Sequence, residues 1–146
     1  MSLSRIRTAA LAAFAVTAVA VTAVQSASAR TVPPRKPKTH VVKMITQDGK
    51  QLFEPENLTI QQGDTVEWLA VSGSHNVGFY IDSIPAGAEV VLKKAMPDQI
   101  APLLGERKPV KGDKYVVAFT GAPKGSYRYY CKPHINKKMF GTLTIQ

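Results

Sequence analysis

The sequence predicts an all-β domain, an antiparallel sandwich with Greek-key connections, and three observations carry that expectation. Short runs alternate apolar and polar residues, as in Thr65-Val66-Glu67-Trp68-Leu69-Ala70, residues 114–119 and residues 126–131. Such alternation sends one face of a strand into a core and the other into water. Turn signals separate the runs at Asp48-Gly49, Gln62-Gly63-Asp64 and Ala122-Pro123-Lys124-Gly125, and little helical periodicity competes with them.

In chain order, the first segment stands apart from the domain. Arg5 and Arg7 precede an apolar run over residues 8–24, and Ala27-Ser28-Ala29 follows as a cleavage site. That is the pattern of a secretory signal peptide, residues 1–29. The run lies at the short edge of the roughly 20 residues a bilayer span needs, so cleavage is expected over a retained membrane anchor. The sole cysteine is at 131, so none follows the signal to carry a lipid, and cleavage would release a soluble protein. Lys+Arg would fall from 19 to 17 against 10 acidic residues, a net charge of +7. A basic exported domain is steered toward acidic partner surfaces. Nucleic acid is set aside, because export removes the target and no recognition motif is present.

Residues 30–39 (RTVPPRKPKT) read as an extended, solvated basic arm, and residues 40–146 as the single domain. Residues 40–46 are expected as a strand, and 53–60 as an edge segment broken by Pro55. Residues 65–70 form a strand with Val66, Trp68 and Ala70 inward, and 75–80 a short one. Ile84-Pro85-Ala86-Gly87 is a turn, 89–94 a strand or helical turn, 97–104 a short helix limited by Pro102, and 106–113 a loop. Residues 114–119 place Tyr115, Val117 and Phe119 on one face. Residues 126–131 place Tyr127, Tyr129 and Cys131 on one side, with Arg128 and Tyr130 on the other. Residues 142–146 close the chain with Leu143 and Ile145 inward.

The chemistry concentrates near the C-terminus. Cys131, His134 and Met139 follow a C-x2-H-x4-M spacing, and His75 in Ser74-His75-Asn76-Val77 is an upstream partner. A single cysteine in an exported chain is an intermolecular disulfide, a free thiol or a metal ligand. Taken singly, Cys131 reads equally as an inert buried thiol, Met139 as a core residue, and His75 as a loop histidine, the class in which His40 stays. Together they form a soft donor set of thiolate, imidazole and thioether, which suits copper over zinc, calcium or magnesium. Two histidines and a cysteine with a weak axial methionine is the blue-copper arrangement. Cys131 with His134 as nucleophile and base lacks a third orienting group at a recognisable spacing, and a four-ligand site leaves no open position, so an enzyme is not expected.

From Phe53 onward the chain resembles the small blue copper proteins (cupredoxins), of the pseudoazurin and plastocyanin kind. The resemblance rests on Phe53-Glu54-Pro55, Gly63-Asp64-Thr65-Val66, Ser74-His75-Asn76-Val77, Ile84-Pro85-Ala86-Gly87-Ala88 and Tyr130-Cys131-Lys132-Pro133-His134 with Met139 and Gly141. It implies a Greek-key sandwich of about eight strands. His75, Cys131 and His134 become strong ligands of one type 1 copper ion, with Met139 the weak axial one. It further implies that Asn76 braces the ligand loop and lends its N–H to the sulfur, and that electrons pass through His134 within an apolar docking patch. Two departures stand out. Lys138 occupies a position that is usually glycine, and residues 93–113 look long, an insertion read as merely tolerated.

The leading expectation is thus a soluble periplasmic electron carrier cycling Cu(I)/Cu(II). It would work as a monomer between donor and acceptor proteins with acidic docking surfaces, of the cytochrome or copper/quinoprotein oxidoreductase kind. A thylakoid lumen or a signal-anchored form are the alternative locations. The alternative function is copper buffering or delivery without electron transfer, which Met- or His-rich tracts would favour and this chain lacks.

Overall fold

The computed structural model describes residues 35–146; the expected signal peptide and the first half of the basic arm, residues 30–34, lie outside the described residues. The strands are β1 (Thr39–Gln47), β2 (Lys50–Glu54), β3 (Asn57–Ile60), β4 (Thr65–Ala70), β5 (Gly78–Phe79), β6 (Gln99–Ala101), β7 (Leu104–Gly105), β8 (Lys114–Ala118), β9 (Gly125–Tyr130) and β10 (Phe140–Ile145), with one helix, α1 (Ala88–Ala95). They form two sheets, β2-β1-β4-β8 and β3-β10-β9-β5-β7-β6. The all-β sandwich is as expected, but it is mixed rather than antiparallel, because β1/β4 and β3/β10 pair in parallel.

The alternating runs bury the faces they advertise. Val66, Trp68 and Ala70 of β4 lie beside Tyr115 and Val117 of the neighbouring β8 on one sheet face, and Tyr127, Tyr129 and Cys131 close the core from the other sheet, all nearly or fully buried. Trp68 meets Tyr129 and Phe79 edge to face, with centroids 5.5 and 6.1 Å apart, a geometry that adds to the burial of these large rings.

One reading of the middle of the chain is corrected, and one left open is settled. The segment 97–104 is not a helix but the β6–β7 hairpin, in which Asp98 and Leu103 adopt left-handed backbone (φ 42° and 54°). The Gln99 side chain fixes it by donating to the carbonyls of Lys93 and Met96 and accepting from the Leu103 N–H. This hairpin, with the Pro55 break between β2 and β3, gives ten strands among the described residues rather than about eight. Residues 89–94 resolve to helix, with Ala88 and Leu92 buried four apart and Lys93 paired to Glu89 at 2.6 Å.

The described end of the basic arm is pinned, not free. Asp64 is buried and accepts from Lys38 N–H (2.7 Å) and Gln61 N–H (3.1 Å), while Arg35 and His40 reach it at 2.6 and 2.9 Å. Burial pushes this carboxyl up, but the four partners together outweigh it and hold it well below the usual carboxylate range. A carboxyl depressed in the folded state stabilises fully above its unfolded value near pH 4, and that stability is lost as pH falls toward the folded value. Asp64→Ala is therefore expected to cost about 3 kcal/mol at neutral pH. In urea unfolding across acidic pH, Asp64→Asn should flatten the acid limb of the stability curve.

Candidate metal centre

The loop from β4 to β5 and the loop from β9 to β10 meet at one end of the sandwich. Cys131 ends the buried face of β9, and residues Lys132–Lys137 coil in a short 3-10 segment that returns the chain to β10. The turn closes through Cys131 N–H to the Met139 carbonyl (3.1 Å) and Met139 N–H to the His134 carbonyl (3.3 Å). These bonds place the buried Met139 backbone beside Cys131 and His134. Lys138 reverses the chain with φ 58° and ψ 34°. The loop thus keeps the left-handed turn that glycine adopts freely, and lysine holds it at a cost of about 1–2 kcal/mol.

Three of the four sequence-predicted donors converge. The ligand atoms of His75, Cys131 and His134 all lie within 4.8 Å of one another. Each histidine turns Nδ1 inward: His75 Nδ1 is 3.7 Å and His134 Nδ1 3.3 Å from Cys131 Sγ, and the two nitrogens are 3.2 Å apart. The tautomer of His75 follows from its other side. Nε2 sits 2.9 Å from the Ser72 carbonyl, which only accepts, so Nε2 carries the proton and Nδ1 the lone pair. Burial lowers the pKa of His75 and of His134, which keeps both neutral and ligand-ready. Burial pushes the Cys131 thiol up, against the Asn76 and His134 N–H groups and the Arg107 charge. Metal binding must therefore displace its proton. Lone pairs and a sulfur aimed at one point, with no carboxylate among them, fit a soft or borderline cation such as copper.

Asn76 joins the two halves. Its N–H points at Cys131 Sγ (3.5 Å), its Nδ2 donates to the Gly105 carbonyl (3.1 Å), and its Oδ1 accepts from Lys132 N–H (2.9 Å). Sequence reasoning missed two other supports. Gly73 (φ 80°) has no room for a side chain, since a Cβ there would lie 2.2 Å from Thr46 Oγ1 and 2.9 Å from His75 Nε2; Ser72-Gly73-Ser74 advertised the turn but not the packing. The segment after β7 is the second. Lys108 N–H donates to the His75 carbonyl (2.7 Å), His75 N–H returns to the Lys108 carbonyl (3.5 Å), and Arg107 Nη2 reaches the Ser74 carbonyl (3.3 Å). The long 93–113 stretch is thus not a passive insertion: it holds His75 in place.

Residues 40–146 match the family model described as copper binding proteins, plastocyanin/azurin family. The chain belongs to the cupredoxins. A plastocyanin from Nostoc punctiforme is 34% identical over 146 residues, 97% of this chain and 99% of its own. One from a Synechococcus strain is 34% identical over 115 residues, 77% of this chain and 76% of its own. Among solved structures, oxidised plastocyanin from Dryopteris crassirhizoma aligns with a TM-score of 0.59 at 28% identity, covering 73% of this chain and all of that one. A pseudoazurin from Sinorhizobium meliloti aligns at 0.53 and 26%, covering 75% and 74%. This cupredoxin is accordingly a copper-binding electron-transfer protein that takes one copper ion.

Proposed function

We propose that this protein is an exported one-electron carrier, in which His75, Cys131 and His134 hold copper strongly and Met139 weakly. The observation that carries the reading is the convergence of two Nδ1 atoms and one thiol sulfur within 4.8 Å, on supports that join three separate loops. Bound copper supplies the Cu(II)/Cu(I) couple. The chain's own residues do the rest. Asn76, Ser72 and Lys108 hold the donors in one geometry, so little rearranges when the charge changes, and the buried core around Cys131 excludes water. His75 is buried while His134 is partly exposed, which makes His134 the edge through which the electron leaves. The four-ligand set leaves no position for a substrate, so the protein acts on none of its own.

Lys132, Lys137 and Lys138 are exposed around His134, a basic rim that supports transient docking to an acidic partner such as a cytochrome or a copper or quinoprotein oxidoreductase. Residues 1–29 support export and cleavage, to the periplasm. No helix among the described residues is long and apolar enough to cross a membrane. The test is stopped-flow mixing of the Cu(I) protein with an oxidised acidic c-type cytochrome. The carrier reading expects electron transfer that slows as salt rises, with copper retained on the protein after gel filtration. Copper lost to the solution or a chelator, with no electron delivered, would move copper delivery to first place.

A further inference from the structure

Arg107 lies in the segment that joins β7 to β8, outside every ligand loop, and it is exposed. Its guanidinium is fixed by Nη2 donating to the Ser74 carbonyl, directly before His75. The backbone on its other side is also fixed, because Lys108 exchanges hydrogen bonds with His75. Its charge is not cancelled nearby: the adjacent Glu106 carboxylate is taken by Lys108 at 2.6 Å, and among the described residues Arg107 forms no ion pair. Burial is the main influence on the donors, but the Arg107 cation also acts on His75, Cys131 and His134 alike. Lys137 acts on His134 alone among them.

The geometry points to Arg107 as a positioning residue that sets the redox balance of the site: a permanent positive charge held beside the donors favours the copper state of lower charge. This rests on the copper reading above. Reduction removes one unit of positive charge from the site, so a fixed neighbouring cation disfavours Cu(II) more than Cu(I). The effect is that of a partly screened surface charge, about threefold in the equilibrium constant for reduction. The guanidinium cannot lose its proton at any ordinary pH, so the bias is constant rather than switched.

The experiment measures midpoint potentials of the copper-loaded wild type, Arg107→Lys, Arg107→Gln and Arg107→Glu, with visible spectra and the thermal midpoints of the metal-free proteins alongside. Arg107→Gln should lower the equilibrium constant about threefold, ~30 mV at 59 mV per tenfold for one electron. Arg107→Glu should lower it about tenfold, and Arg107→Lys should stay near wild type. All three should keep the wild-type spectrum, the metal-free midpoint should fall only slightly where the exposed bond to Ser74 is lost, and the differences in potential should shrink as salt rises. Unmoved potentials in the Gln and Glu variants would overturn the assignment, as would an Arg107→Lys shift as large as that of Arg107→Gln, which would mark a packing role. A wild type with no blue band or reversible couple would overturn the copper reading itself, and the role of Arg107 with it.

Discussion

Cys131→Ser is expected to abolish the intense visible band of the Cu(II) protein and to weaken copper binding by more than any other single change. The band belongs to a Cu–thiolate site, and Cys131 is the only sulfur the three-donor cluster holds. A serine hydroxyl is nearly the same size but is a hard, neutral donor at neutral pH, so two imidazoles and the weak Met139 thioether would be left to bind the metal. The fold itself should tolerate the exchange, since Sγ makes only long contacts, to Asn76 N–H at 3.5 Å and to the Nδ1 atoms of His75 and His134 at 3.7 and 3.3 Å, and serine keeps nearly the same volume. Absorbance and circular dichroism of the loaded and metal-free variant check both parts. A surviving blue band would remove Cys131 from the site.

The second large effect is expected at Asn76. Its side chain spans the Gly105 carbonyl and the Lys132 N–H, both in buried or half-buried surroundings. Asn76→Ala deletes both bonds, leaves two backbone groups without partners and opens a small cavity beside Cys131. Each unsatisfied buried group costs about 1–3 kcal/mol, so a total near 3 kcal/mol is expected. That corresponds to a fall of roughly 10 °C in Tm for a domain of this size. Asn76→Asp keeps the shape but offers no donor to Gly105 and buries a charge, so it should not rescue the alanine variant. The loss should be larger in the copper-loaded protein, because donors that Asn76 no longer holds in one geometry bind copper more weakly, and the stabilisation by mass action falls with that affinity. Thermal melts of both variants with and without copper measure this; equal losses in the two states would mean that Asn76 does not join the halves of the site.

What could be read from the chain divides along a physical line. β1, β4, β8 and β9 were legible because a half-buried strand must alternate, and residues such as Val66, Trp68, Tyr127 and Tyr129 do so without interruption. Cys131, His134 and Met139 were legible because their spacing is local to one loop, and His75 because it sits in a polar loop after a strand. The β6–β7 hairpin was not legible. Its reversals use Asp98 and Leu103 in left-handed backbone rather than glycine, and its fixing bonds come from Gln99, which has no turn signature. The hold of residues 105–108 on His75 and Asn76 was hidden for a different reason. It is made almost wholly of backbone groups, so no side chain in Gly105-Glu106-Arg107-Lys108 announces it. Parallel pairing of β1 with β4 and of β3 with β10 was equally silent, since alternation reports a face and not a neighbour.

The most direct test of the central claim is a spectropotentiometric titration of the copper-loaded protein. The account predicts a single blue band that bleaches and returns reversibly along a one-electron Nernst curve, 59 mV per tenfold, with unchanged circular dichroism and copper retained throughout. Copper that binds tightly to a colourless protein, or that leaves on reduction, would contradict it.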